Sequence, residues 1–215
     1  MKHLAVIADG NRRWAKSNSL PIEMGYIQGL TTIEKCCMWA IENNIQYLTA
    51  FCFSTENWGR SEDEVNQIMD LGRWYFKDKQ DWYVAAGIRV CFSGRRDRVA
   101  DDLIDIINTM ENVTAHCKNM TLVICADYGG RDEIARAVMS GARTEEEISS
   151  VLSYNAPDPD VILRTGGQRR LSNFLLWQAA YAELFFLDIP FPALEHDDLD
   201  KIIFEYNKRK RNYGK

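Results

Sequence analysis

The residues best able to do chemistry fall just after short apolar runs. The first run, His3–Asp9, leads into Gly10-Asn11-Arg12-Arg13-Trp14. Gly10 lets the backbone turn sharply and approach a ligand closely. Amides at such a turn, opening a helix and backed by Arg12 and Arg13, suit a phosphate group. Asp9, at the tip of the run, is placed to hold a hard cation such as Mg²⁺ bridging diphosphate oxygens. Taken alone, this piece reads more readily as a plain Asp-Gly turn with solvated arginines. The sequence carries neither GxxxxGK[ST] nor GxGxxG after a strand, so the usual nucleotide loops are not expected.

A second run ends in Phe53-Ser54-Thr55-Glu56-Asn57-Trp58, followed by Gly59-Arg60-Ser61. Ser54, Glu56 and Asn57 can order a substrate or a metal-bound water, and Trp58 offers an apolar wall. Ser61 with Glu64 matches a helix capping box. A third polar end is Asp127-Tyr128-Gly129-Gly130-Arg131. The fourth carries the most charge, running Arg164-Thr165-Gly166-Gly167-Gln168-Arg169-Arg170-Leu171-Ser172-Asn173. Arg164 and Arg170 bracket two glycines and Ser172 adds a hydroxyl, and guanidinium forks of this kind suit a diphosphate. Glu183, beside the apolar Leu184-Phe185-Phe186, reads equally as a second metal carboxylate or as a salt-bridge partner for a nearby arginine. Two anion loops, two carboxylates and an apolar surround imply a substrate with a charged head and a greasy tail.

The elements that must position these groups are legible as alternating runs. Candidate strands are His3–Asp9, Tyr47–Ser54, Ile88–Gly94, Thr121–Tyr128, Asp160–Thr165 and Leu184–Ile189. Their two-sided apolarity suits buried parallel strands. Between them the pattern predicts helices over Gly25–Asn43, Glu62–Ala86, Val99–His116, Asp132–Met139, Thr144–Leu152, Arg170–Ala180 and His196–Arg211. This alternation predicts an α/β fold with a mostly parallel sheet. In such sheets ligands collect beyond the carboxyl ends of the strands, where these polar runs lie. Ser140–Asp160 is the loosest segment, broken by Gly141 and Pro157-Asp158-Pro159.

The 215 residues suit a single domain spanning 1–215. Apolar residues make up 46% and charged residues 27%, enough to bury a core. A formal charge of -5 disfavours a nucleic-acid partner. The six cysteines show no CxxC pairs and no His partner at metal spacing, so they read as reduced, buried thiols rather than zinc ligands. The start reaches a charged loop too soon for a signal peptide, and no apolar run approaches the ~20 residues of a membrane span. A cytoplasmic protein is the expectation. The Lys208-Arg209-Lys210-Arg211 run suits a helix C-terminus, and supports at most peripheral contact with an anionic membrane.

In order along the chain, these motifs resemble the cis-prenyltransferases, the family of undecaprenyl diphosphate synthase. Asp9 to Ala15, Phe53 to Trp58 with Glu64, Tyr128 to Arg131, Arg164 to Leu175 and Tyr181 to Leu184 each look like one of its signatures. The resemblance implies a six-stranded sheet flanked by helices, a homodimer and Mg²⁺ dependence. It implies that Asp9, Gly10, Asn11 and Arg13 bind the allylic diphosphate, with Arg12 and Trp14 in the same loop and Asp9 on the metal. It puts isopentenyl diphosphate on Arg164, Arg170 and Ser172, with Glu183 near the metal and Ser54, Asn57 and Trp58 between the substrates.

Some positions depart from the family pattern. Tyr26 stands where a His is usual, Ile22 where an Arg is usual, Gln168 for Glu, Arg169 for a His found in some members, and Asp127 for Asn. Gly25-Tyr26 is similar to cyclolavandulyl-type synthases, which join units head-to-middle. The leading expectation is therefore condensation of isopentenyl diphosphate with a short allylic diphosphate. The alternatives are an irregular condensation of allylic diphosphates alone and a non-catalytic partner subunit; the presence of Asp9 and Glu183 argues against the last. Cys52 beside Phe51 and Phe53, with Gly72, Arg73, Trp74, Tyr75 and Phe76 on the next helix, predicts a blocked tunnel. The expected product then has roughly ten to fifteen carbons.

Overall fold

The computed structural model describes residues 1–153 and 156–209. Six strands form one sheet: β1 (His3–Ile7), β2 (Tyr47–Ser54), β3 (Ile88–Ser93), β4 (Met120–Tyr128), β5 (Val161–Arg164) and β6 (Glu183–Phe186). Their order is β3-β4-β2-β1-β5-β6, and every pairing is parallel. The helices are α1 (Asn11–Ser17), α2 (Ile22–Glu42), α3 (Glu62–Asp78), α4 (Gln80–Ala85), α5 (Asp101–Thr114), α6 (Gly130–Met139), α7 (Glu145–Val151) and α8 (His196–Lys208).

Both faces of the sheet are covered, which is why its strands read as continuous apolar runs. Along β1, Leu4 and Val6 pack into the larger cluster with Trp39 of α2, Tyr83 of α4 and Leu199 of α8. Ala5 and Ile7 face the other way, onto Phe174 and Leu175. Parallel pairing places the ends of β1, β2, β4 and β5 on one edge, so the four polar runs converge there.

Three expected elements differ. The predicted helix over Arg170–Ala180 does not form; the segment is a series of turns. Ser172, Asn173 and Leu175 have φ of 49°, 65° and 44°, left-handed conformations that a helix cannot contain. The burial of Phe174 and Leu175 beneath the sheet outweighs the local helical pattern. The helix predicted over Glu62–Ala86 is two, α3 and α4, meeting at Lys79. A short helix, α1, follows the first loop directly. The last helix ends at Lys208, and the expected continuation through Lys210 and Arg211 lies outside the described residues.

Close helix contact fixes the first loop. Gly25 and Gly29 lie one turn apart on α2 and leave room for Asn11. A Cβ at Gly25 would come within 2.3 Å of the Asn11 carbonyl oxygen, and one at Gly29 within 2.6 Å of its Oδ1. The thiols are all free, as expected, but Cys52 is exposed and Cys91 only half-buried.

Candidate active site

Two recesses meet at the carboxyl edge of the sheet. The larger, about 770 Å³, runs from a polar mouth at Asp9, Asn57, Arg164, Arg170 and Ser172 to an apolar end at Phe76, Phe92, Leu103 and Ile107. The smaller, about 580 Å³, is lined by Asp9, Gly10 and Asn11 and by the cations Arg12, Arg13, Lys16 and Arg60. Asp9, Asn11, Tyr26 and Arg60 border both.

Asp9 leaves β1 just before Gly10, whose φ of 108° makes the turn possible. Both carboxylate oxygens are taken by arginines. Arg13 donates to Oδ1 at 3.2 Å and Arg164 to Oδ2 at 2.9 Å. Arg164 is only 5% exposed. Its other terminal nitrogen donates to the Arg170 carbonyl at 2.5 Å and to Ser172 Oγ at 2.7 Å. One guanidinium thus ties the β1 tip to the loop after β5. Gly166 and Gly167, at φ 79° and 76°, let that loop fold back on Asp9; a Cβ at Gly166 would meet Arg13 at 2.6 Å and the Asp9 carbonyl at 3.0 Å.

Glu64, at the start of α3, gathers three donors: the Tyr26 hydroxyl at 2.8 Å, Arg60 at 2.8 Å and Arg12 at 3.3 Å. Partial burial acts to raise the Glu64 carboxyl, but these partners outweigh it and hold it below the usual carboxylate range. Burial and the bond to Glu64 push the Tyr26 phenol up to about 12. This cluster joins α1, α2 and α3 across the boundary of the two recesses.

Ser54 and Asn57 line the mouth and hold each other. The Asn57 side chain accepts from the Ser54 amide at 3.0 Å, and Ser54 caps the short 3-10 helix Thr55–Gly59. Opposite, Asn173 donates to Glu56 at 2.7 Å and accepts from the Arg131 amide at 2.8 Å.

The strands of this edge are bulged. Phe51 pairs with Cys125 and Phe53 with Ala126, leaving Cys52 as an extra residue on β2; Ser54 then pairs with Tyr128, leaving Asp127 extra on β4. Bulges re-aim side chains, and Cys52 and Asp127 both line the large cavity. Cys52 is exposed to the cavity rather than to the outer surface, so the surrounding protein still desolvates its thiol and pushes it up to about 12.

The expected residues therefore mostly assemble. Asp9, Gly10, Asn11, Arg12, Arg13 and Tyr26 border the cationic recess, and Ser54, Asn57, Arg164, Arg170 and Ser172 the mouth of the large one. Glu64 borders neither recess but holds Tyr26 and Arg60, which border both, and three more are placed otherwise. Glu183 starts β6 paired with Val161, while Arg164 ends β5 opposite Phe186, so Glu183 lies at the opposite edge of the sheet from Asp9. It pairs with Arg209, the salt-bridge alternative. Trp58 borders neither recess but packs edge-on to Phe53, ring centres 5.3 Å apart. Trp14 borders neither, and its carbonyl closes the end of α1. Glu56 lines the mouth as expected, and Arg60 and Asn173 belong to the site without having been singled out. Their signal was position alone, inside runs already marked as polar strand ends. Among the described residues no group of three or more His, Cys, Asp or Glu could hold a metal by itself, and no helix is long and apolar enough to cross a membrane.

Comparison with known proteins gives a consistent answer. Residues 7–214 match a prenyltransferase family described as "Putative undecaprenyl diphosphate synthase". An isoprenyl transferase of Aquifex pyrophilus is 41% identical, covering 100% of this chain and 96% of its own. A tritrans,polycis-undecaprenyl-diphosphate synthase (geranylgeranyl-diphosphate specific) of Thermococcus kodakarensis is 42% identical, covering 100% of this chain and 87% of its own. Among solved structures, lavandulyl diphosphate synthase from Lavandula x intermedia, in complex with dimethylallyl diphosphate, is similar with a TM-score of 0.94 at 28% identity, covering 100% of this chain and 98% of that one. A probable undecaprenyl diphosphate synthase from Campylobacter jejuni is similar with a TM-score of 0.86 at 35% identity, covering 100% and 99%.

Proposed function

This chain belongs to the undecaprenyl diphosphate synthase family of prenyltransferases, and we propose that it joins isopentenyl diphosphate to a short allylic diphosphate. The observation that carries this reading is the joining of a cationic recess to a polar-mouthed apolar cavity at Asp9. The allylic diphosphate sits on the amides after Gly10 among Arg12, Arg13 and Arg60, and its tail enters the large cavity. Isopentenyl diphosphate sits at the mouth on Arg164, Arg170 and Ser172. Ser54 and Asn57 border the space between the two.

The allylic carbon–oxygen bond breaks and diphosphate leaves with the electron pair. The isopentenyl double bond attacks the allylic carbon, and loss of a proton forms the new double bond. Arg12, Arg13 and Arg60 stabilise charge on the leaving diphosphate, held in place before the reaction. Asp9, 29% exposed where the two recesses meet, would hold a Mg²⁺ ion. When bound, Mg²⁺ would neutralise diphosphate charge. The protein acts as a cytoplasmic homodimer with at most peripheral membrane contact, and Glu183 has no metal role in this reading.

Cavity size supports a short product. At roughly 30 Å³ per heavy atom, the share of a water molecule in the liquid, 770 Å³ holds about 25 heavy atoms. Isopentenyl diphosphate at the mouth takes about 14 of these, which leaves room for an allylic tail of about ten carbons and so a product of about fifteen. Phe76 and Phe92, in edge-on contact at 4.9 Å, stand at the far end. The expected block by Arg73 and Trp74 is corrected: Trp74 is 52% exposed and Arg73 pairs with Asp70 and Asp102 on the surface.

A second reading, irregular joining of two allylic diphosphates, is favoured by Tyr26, whose hydroxyl is locked to Glu64 and Arg60 at the boundary of the recesses. The test is mass spectrometry of products formed with Mg²⁺ and dimethylallyl, geranyl or farnesyl diphosphate, each with and without isopentenyl diphosphate. A short product that requires isopentenyl diphosphate supports the first reading, and one formed without it supports the second. A product far beyond fifteen carbons contradicts the length assignment, and no product under any condition contradicts both readings.

A further inference from the structure

The bulge residue Asp127 is 1% exposed and holds φ at 48°, a left-handed conformation sparsely populated outside glycine. Such strain persists only where surrounding contacts over-determine it. Here the contacts are specific. The Trp58 indole N–H donates to Asp127 Oδ1 at 2.9 Å, and Arg98 Nε donates to Oδ2 at 3.0 Å. A terminal nitrogen of Arg98 also bonds Oδ1. The same guanidinium lies 5.7 Å from the centre of the Trp58 ring. The Asp127 carbonyl accepts from the Arg95 amide at 3.0 Å.

Trp58 belongs to the short helix Thr55–Gly59, which carries Glu56 and Asn57 at the cavity mouth and leads directly to Arg60. Its fixed points to the rest of the fold are few. Thr55 lies against Gly129, Asn173 holds Glu56 and Arg60 bonds Tyr26 and Glu64; Trp58 itself is held by Phe53 against its ring and by the Arg98–Asp127 pair, whose carboxylate takes its indole N–H. A segment with so few buried contacts is drawn from the low-stability end of a structure.

We propose that Asp127 and Arg98 are positioning residues: they clamp Trp58 so that the 55–60 segment presents Asn57 and Arg60 to the diphosphate before substrate arrives. The proposal rests on the reading of this mouth as the prenyl diphosphate site. Neither residue is catalytic. Their effect passes through Trp58, and what they supply is pre-organisation, which appears in substrate binding more than in turnover.

Two measurements on the full chain test this, and one of them needs no activity. Asp127→Gly removes the side chain and accepts the left-handed backbone; Asp127→Asn keeps an oxygen for the indole N–H and tolerates that backbone. Hydrogen exchange of amides 55–60 should accelerate at least tenfold in Asp127→Gly and less than threefold in Asp127→Asn. KM for the allylic diphosphate should rise about tenfold in Asp127→Gly with kcat within threefold, and the Asn variant should restore it. Unchanged exchange and KM in the Gly variant, or equal impairment in both, overturns the proposal. Should Asp127→Gly fail to fold, Trp58→Phe and Arg98→Gln serve instead. Each should loosen the segment, and the double variant should be no worse than the worse single, because both release one clamp. Effects that multiply would overturn it. An exchange change as expected in a protein inactive on every prenyl diphosphate would keep the clamp and sink the functional reading.

Discussion

Replacing Arg164 by Met removes one guanidinium that holds three groups at once: the Arg170 carbonyl, Ser172 and Asp9. Its burial makes the loss large for activity and bearable for the fold. Asp9 keeps Arg13 at 3.2 Å and has 29% of its side chain exposed, so its charge is not stranded. Arg170 and Ser172 are exposed, so water replaces their bonds, and the stability cost is about 1.5–3 kcal/mol, the worth of the remaining charge-assisted hydrogen bond. That lowers the denaturation midpoint but leaves a folded enzyme. Loss of a charge-assisted bond to the isopentenyl diphosphate costs about 1.5–3 kcal/mol of binding. That predicts kcat/KM for isopentenyl diphosphate reduced by about 10–10², read as incorporation of the labelled substrate into extractable product. Arg164→Lys restores charge without the fork, so it should recover only part of the loss. A Met variant within threefold of the parent would show that Arg164 is a structural tie and that isopentenyl diphosphate binds elsewhere.

Three further outcomes are expected. Because both oxygens of Asp9 face arginines, Mg²⁺ alone should bind weakly and inorganic pyrophosphate should strengthen it at least tenfold; calorimetry showing equal affinity with and without pyrophosphate would contradict this. Phe76→Ala should open the far end of the cavity and lengthen the product by at least one isoprene unit, at a stability cost of about 3–5 kcal/mol; an unchanged product mass would remove Phe76 as the end stop. Burial lowers the His3 imidazole to about 4, against the help of the Pro157 carbonyl and Asp160. Between pH 6.5 and 4 the unfolded chain therefore binds the extra proton, and stability falls as pH falls, by about 1.4 kcal/mol per unit and about 3 kcal/mol in all. His3→Gln should flatten that part of a denaturation-against-pH curve, and an unaltered slope would assign the acid sensitivity to carboxylates.

Much of the site was legible because its parts are local. A strand buried on both faces must be apolar throughout, so Leu4-Ala5-Val6-Ile7 and Leu122-Val123-Ile124-Cys125 announce themselves. A polar run with glycine just beyond such a strand marks the edge where ligands bind, which was enough to place Asp9, Gly10, Ser54, Arg164 and Ser172. The signature order along the chain carried the family.

What the sequence could not settle depended on direction and distance in three dimensions. Glu183 carries the charge of a metal ligand, but parallel pairing of β6 with β5 puts the start of the strand at the far edge of the sheet. The 170–180 segment has helical spacing, but Phe174 and Leu175 gain more by burial against the sheet than a surface helix would return. Trp58 reads as a wall for substrate, yet its indole N–H finds Asp127, brought beside it by a bulge that no periodicity reveals. Arg73 and Trp74 look like obstructions until α3 turns them outward. Sequence periodicity reports how often a side chain is buried, and only the packed sheet decides which neighbour it meets.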